Sequence, residues 1–331
     1  PPIPDEPGEW SLRLTILLEV GVRRTARRSD NSSPLVCCRR VVVKAVALLS
    51  VASILLNFAT SATAEVYFVN NRTGADRNDG LVETPLSNIT GPVKSISQAL
   101  KLASFADMII VANTGVPYYD NLSFQGEKHS GDPARPFRLI GNGATITGAM
   151  VVPEGAWREA ARDVWQVTPF RKGFFQLVRD GKALPEVRPQ ASEKWDSIPD
   201  LEVDQWCSWR GSIYYRVERF VEPAKQRLSI ARRSCGITVF AAHDIVISDL
   251  TVQHFRLDGV NLHDLATNIQ LEKLTLHENG RAGLAIGGSS TARIAGSDIE
   301  RNRDHSVLIQ EAAAIALDDC ILDAEPTVNQ K

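Results

Sequence analysis

The chain has 331 residues and a formal net charge of −2, with 37 Lys and Arg against 39 Asp and Glu. That balance supplies no basic face for nucleic acid. Its 44% hydrophobic and 23% charged residues are those of an ordinary globular protein, which argues against a disordered or fibrous chain.

In chain order, the first feature is an export signal. Arg39, Arg40 and Lys44 precede the uncharged apolar run 45–59, and Ala62 and Ala64 come next in the A-x-A spacing. A basic stretch, a short apolar core and small residues at the cut predict a secretory signal peptide cleaved after Ala64. The run is too short to span a bilayer, which takes about 20 residues. Residues 1–64 are therefore expected to be a leader. The remaining chain is expected to be secreted, periplasmic or at the cell surface, with no membrane segment after cleavage. Cys207, Cys235 and Cys320 remain, an odd number without a CxxC pair. That argues against a zinc site and leaves a Cys207–Cys235 bridge as one option.

Asp76, Asn78 and Asp79 in GADRNDG carry oxygens at a spacing a metal such as Ca²⁺ can use. A simple turn is the competing reading. Val93, Ile96, Leu100 and Ala103 then fall on one helical face, the mark of a short amphipathic helix. Residues 151–227 lack the periodicity of the segment C-terminal to them and hold Trp157, Trp165, Trp195, Trp206 and Trp209. This region is read as a large inserted segment. Trp206, Trp209, Tyr214 and Tyr215 form either a sugar-stacking platform or anchors packing the insertion in place.

From 228 the sequence repeats. Gly236, Gly259, Gly283 and Ser306 each precede an apolar-x-apolar pair, beginning with Ile237/Val239 and Val260/Leu262. Every repeat contains two further pairs, and of the positions in these columns only Ser297 is neither apolar nor Cys. Period-2 runs of this length are short strands with one buried face. Three such strands per coil of about 23 residues stack into a parallel β-solenoid, each column repeating every ~4.8 Å. Asn279 and Asn302 share a turn column and are expected to form a hydrogen-bonded ladder above Phe255.

These residues resemble the right-handed parallel β-helix proteins of the pectate-lyase-like group, over roughly 65–150 and 228–325. The opening segments YFVNNRTGADRNDG, VKSISQAL and ADMIIVANTGVPYYDNLSF are similar to that group's strand, turn and capping helix. The resemblance implies an all-β, single-stranded right-handed parallel β-helix with an N-terminal capping helix. It also implies an exported protein acting on or binding polysaccharide or another glycan, with Ca²⁺ as the candidate cofactor. A lyase or glycoside hydrolase is one reading, and a non-catalytic binding or surface-display module is the other. The paired Asp and Gly-His-Gly motifs of the group's hydrolase branch are missing from LDGV (257–260) and GLAIGG (283–288).

On a solenoid, chemistry belongs to outward residues and turns. Asp258, Arg281, Asp304 and His305 lie at the turn column, with Asn261 and His263 outward in the next strand. Asp258 and Asp304 are two rungs apart, about 9–10 Å, close to the carboxyl separation of an inverting glycosidase. In a lyase, Arg281 or a histidine is the candidate proton abstractor, with Asn261 contacting substrate. The structural alternative is a turn Asp and a surface Arg281–Asp304 ion pair, worth little. The last coil is expected to end near Glu325 with its top uncovered. That implies a truncated gene product, or a partner chain or further domain over that end.

Overall fold

A computed structural model describes residues 64–190 and 194–329. The expected leader, 1–64, lies outside the described residues except for Ala64. Among them, no helix is long and apolar enough to cross a membrane.

Val66–Val69 opens the solenoid and pairs in parallel with Met108–Val111, which pairs with Phe137–Thr147. Between the first two strands, Ile96–Leu102 forms the expected capping helix. The Ser95 side chain caps its first turn by accepting from the Gln98 N–H. Val93, Ile96, Ala99, Leu100 and Ala103 bury the apolar face over the first coil.

The later coils keep to the repeat. Ile237, Val260, Leu284 and Val307 stand in register in one parallel sheet, which starts at Leu122–Gln125. Ile245, Ile269, Ala292 and Ile315 stack in the second strand position. Val252, Leu276, Ile299 and Leu322 stack in the third. All but Ala292, Ile315 and Leu322, which are partly buried, are fully buried, because each inward column packs against the coils above and below. Ser297 is buried too, its hydroxyl accepting from Leu274 N–H and donating to the Ala295 carbonyl. It serves the turn rather than breaking the core.

The glycine column has a steric cause. A Cβ at Gly259 would lie 2.8 Å from the Gly283 carbonyl oxygen, and one at Gly283 would lie 2.6 Å from Asn302 Nδ2. The asparagine ladder forms as expected. Asn279 Oδ1 accepts from Phe255 N–H at 3.1 Å, and Asn279 Nδ2 donates to Asn302 Oδ1 at 3.0 Å. Thr327–Asn329 adds one more strand, on Leu308–Gln310, past the point where the coils were expected to end.

The insertion leaves the solenoid after Phe137–Thr147, and the next coil resumes at Ile237 on the strand Leu122–Gln125. It builds two small, mostly antiparallel sheets. The hairpin Leu177–Arg179/Lys182–Ala183 turns at Asp180 and Gly181, both at positive φ, the two-residue turn that suits strand twist. Trp157, Leu177, Trp206, Ile213 and Tyr215 form a core separate from that of the solenoid.

Ionic contacts fix this lobe to the solenoid turns. Arg303 reaches Glu186 at 3.1 Å, and Ala183 N–H donates to Glu278 at 2.9 Å. Burial on its own would raise the Glu278 carboxyl. Hydrogen bonds from His254 (2.8 Å) and the Ala183 N–H outweigh it and bring the pKa to about 2.

Two measurements test this account. Asn279→Ala leaves the Phe255 N–H and its rung partners unmatched in the core, and is expected to cost about 2 kcal/mol in urea unfolding. For Glu278 the folded pKa lies below the unfolded one. Its contribution is therefore full above about pH 4.5 and is lost as pH falls toward about 2. The loss approaches ~3 kcal/mol, so Glu278→Gln is expected to flatten the acid limb of the stability–pH curve.

Candidate functional site

The outward face of the sheet Leu122–Gln125/Ile237–Phe240/Val260–His263 carries the columns Ser123–Thr238–Asn261 and Gln125–Phe240–His263. The turns Arg232–Cys235, Arg256–Asp258 and Arg281 rise beside it, linked rung to rung by backbone hydrogen bonds. The insertion segment 170–173 crosses the same turns, where Arg256 Nη2 donates to the carbonyls of Lys172 (2.6 Å) and Gly173 (2.9 Å).

Asp258, Asn261 and Arg281 do come together, but not as a catalytic set. Asp258 is fully buried. Its carboxylate accepts from Arg281 Nε at 2.8 Å and Nη2 at 2.5 Å, and from Asn261 Nδ2 at 2.7 Å. Its oxygens are thus occupied and shielded, which corrects the expectation of an accessible acid or base. Arg281 pairs with Asp258 rather than Asp304. That carboxylate raises the guanidinium pKa above its ordinary value. Cys235, with Sγ 3.9 Å from Asp258 Oδ2, is pushed up to about 11 by burial and by that negative charge. It is a neutral thiol. Cys207 and Cys235 are both unpaired, so the optional bridge does not form.

Asp304 turns to the insertion, 3.6 Å from Arg188 and 4.0 Å from Arg303. It forms no working pair with the buried Asp258. His305 contacts the Thr327 hydroxyl at 3.0 Å. His263 stays half-exposed, its Nδ1 3.2 Å from Asp264 and its ring 5.1 Å from that of Phe240. Its Nε2 has no hydrogen-bond partner among the described residues.

The aromatic platform is corrected as well. Trp206, Tyr214 and Tyr215 are 2%, 7% and 0% exposed and pack the insertion. Trp209 is half-buried, its ring under the Arg210 guanidinium at 4.3 Å and its N–H on the Trp195 carbonyl. The proposed metal loop is a turn. Asp76 accepts from the Lys94 and Ser95 N–H groups, Asp79 from those of Leu81 and Gly91, and Asn78 donates to the Pro92 carbonyl. These bonds commit the loop to backbone, and among the described residues no cluster of three or more His, Cys, Asp or Glu suits a metal.

What the sequence reading missed is a set of arginines. A cleft of about 280 Å³ is lined by Asn121, Arg171, Arg232, Arg233, Ser234, Cys235 and Thr238. Arg233 donates to the Asn121 side chain, yet its buried Nε has no partner. Among the described residues, Arg171, Arg232, Arg233 and Arg256 have no carboxylate within salt-bridge distance, whereas Arg179, Arg281 and Arg303 all do. The available signal was ARRSC (231–235) directly before the first regular coil, a pair of cations with no acid nearby in sequence.

Residues 226–325 match the family model described as right handed beta helix region. No curated protein matches. XylC, solved with xylose, aligns at 13% identity with a TM-score of 0.50, over 76% of this chain and 58% of its own. The chain thus spans less than two thirds of the length of that protein. Pectate lyase Pel9A aligns at 13% identity and TM-score 0.42, over 79% of this chain and 48% of its own. The GH136 lacto-N-biosidase from Eubacterium ramulus aligns at 11% and 0.36, over 82% and 43%. At such identities the likeness is one of fold, the right-handed parallel β-helix.

Asp258→Asn tests the anchoring role. It leaves the Arg281 charge half-buried without its partner, and a loss of about 3 kcal/mol is expected. His263→Ala, on the exposed face, is expected to change stability by less than about 0.5 kcal/mol. Thermal unfolding of the two variants side by side checks the contrast.

Proposed function

We propose that this chain, carried outside the cytoplasm, binds an acidic polysaccharide in the arginine cleft and cleaves it by β-elimination. The observation that carries the reading is the group of arginines without acidic partners beside an open, polar strand face. A uronate carboxylate is the anion such a cleft fits, since guanidinium forks pair with carboxylates. Neutralising that carboxylate makes the neighbouring C–H more acidic, which is what elimination requires. Arg233, Arg232 and Arg171 would hold the carboxylate. Arg281, fixed in charge and direction by Asp258, would flank them. His263, oriented by Asp264 and with Nε2 unpartnered among the described residues, is the candidate base on the same strand face. Thr238 and Asn261 form the floor between.

A second reading has its own observation. Glu186 and Glu278 both line a cavity of about 420 Å³ where the insertion meets the turns, and a carboxyl pair suggests glycoside hydrolysis. Both carboxylates are already bonded, Glu186 to Arg188 and Arg303 and Glu278 to His254. Their contacts read first as a clamp.

The test is a panel of acidic and neutral polysaccharides, monitored by unsaturated-uronate absorbance and by new reducing ends. Both signals on acidic substrates alone are expected. Arg233→Gln is expected to lower kcat/KM about tenfold or more, and His263→Ala to lower kcat by about a hundredfold with retention on substrate unchanged. Reducing ends alone, abolished by Glu278→Gln, would replace elimination with hydrolysis. Retention without turnover would leave a binding module.

A further inference from the structure

A second cavity of about 280 Å³ adjoins the arginine cleft on the insertion side, and Arg171 and Arg232 border both. Its character is different. Val152, Val167, Pro169, Phe170 and Ile230 give it apolar walls. Phe170 is 93% exposed, a bare aromatic ring among the lining residues. Arg256 also lines the cavity.

Arg256 is 8% exposed, pairs with no carboxylate among the described residues, and leaves its buried Nε without a hydrogen-bond partner. Two backbone carbonyls hold one end of its guanidinium. Carbonyl dipoles do not neutralise a charge, and a buried cation without a counter-ion is costly. Burial and the like charge of Arg171 accordingly lower its pKa. The pocket is one anion short.

The walls decide what carries that anion. A sugar ring would place several hydroxyls against the Val152, Val167, Pro169, Phe170 and Ile230 side chains, which cannot bond them. The Thr168 hydroxyl, the neutral polar group there, is already shared with Ser212 at 2.7 Å. Unmatched hydroxyls are expensive in such a place. An apolar body gains instead, by roughly 25 cal/mol for each Å² it removes from water. The cavity is large enough for one ring with a short side chain.

We infer that this cavity is a binding site for a small aromatic carboxylate, its carboxylate on Arg256 and its ring between Phe170 and the valine–proline–isoleucine walls. The site depends on Arg256 and the apolar walls, not on the glycan reading of the neighbouring cleft.

The probes are cinnamate, its uncharged amide cinnamamide, galacturonate and octanoate, titrated into the full chain by calorimetry and ligand-observed NMR. Saturable cinnamate binding is expected, at least about tenfold tighter than that of any other probe. Arg256→Met is expected to abolish it. Arg256→Lys, which keeps the charge but not the fork, is expected to weaken it about tenfold. Because Arg256 also ties the insertion to the turns, Ala156→Phe serves as an independent variant that fills the cavity and leaves every arginine in place. It should remove binding with an unchanged melting temperature. Arg233→Gln should leave cinnamate binding intact while impairing the glycan cleft, which separates failure here from failure of the elimination reading. Equal binding of the amide, tighter binding of octanoate or galacturonate, full binding in a folded Ala156→Phe variant, or no cinnamate binding up to about 10 mM would each overturn the assignment.

Discussion

Everything in this molecule depends on how closely one coil lies on the next. At Gly259 and Gly283 the rungs approach so tightly that a Cβ would strike a carbonyl oxygen or an asparagine amide of the adjoining coil. The approach sets the register, because sliding a strand by one residue would turn every inward column outward. It also forces the polar turns into a stack, where Asn279 and Asn302 satisfy the backbone of their neighbours. Once the turns are stacked, the residues flanking them have no freedom of placement. Arg232–Cys235, Arg256–Asp258, Arg281 and Asp304 are brought together by the coil spacing, whatever their chemistry.

That constraint explains what could be read from the sequence. The inward columns announce themselves because an apolar residue returning at a fixed interval has a single physical use. Gly236, Gly259 and Gly283 mark the corners for the steric reason above, and the helix at Ile96–Leu102 shows the period of a half-buried plug. Ser297 looked like a fault in the core and is a turn hydrogen bond. The site was less legible, because strand alternation stops at the turns. Nothing in LDGV says whether Asp258 points to solvent or inward. The structure buries it at the turn, beneath Arg281 and the outward strand residue Asn261. The tryptophans misled for a related reason. A segment without the rung pattern still needs a core, and Trp206 and Tyr215 supply it.

Pairing separates the arginines into two populations. Arg179 with Asp204, Arg281 with Asp258 and Arg303 with Glu186 hold parts of the fold to one another. Each pair is partly or wholly out of water, so removing one partner costs more than the pair contributes. Arg171, Arg232, Arg233 and Arg256 are not of this kind. They sit where insertion and turns meet, and two of them carry a buried Nε with no partner. Arg233 and Arg256 also hold structure, through the Asn121 side chain and the Lys172 and Gly173 carbonyls, but no carboxylate neutralises their charge there.

The insertion is what turns a repetitive surface into a place where a ligand can be held. Alone, the outward strand face of Ser123, Thr238 and Asn261 is flat, and each contact it offers recurs a rung away. Segment 170–173 breaks that translation by crossing the turns and adding a wall on one side only. The Arg256 hydrogen bonds to Lys172 and Gly173 fix the wall, and they also draw that guanidinium away from water. The same contact therefore positions the lobe and leaves an uncompensated buried charge beside an apolar cavity. Stability by itself would favour a neutral side chain there, able to cap the same two carbonyls without the desolvation cost. A charge kept against that preference is best explained by an anion that arrives from outside.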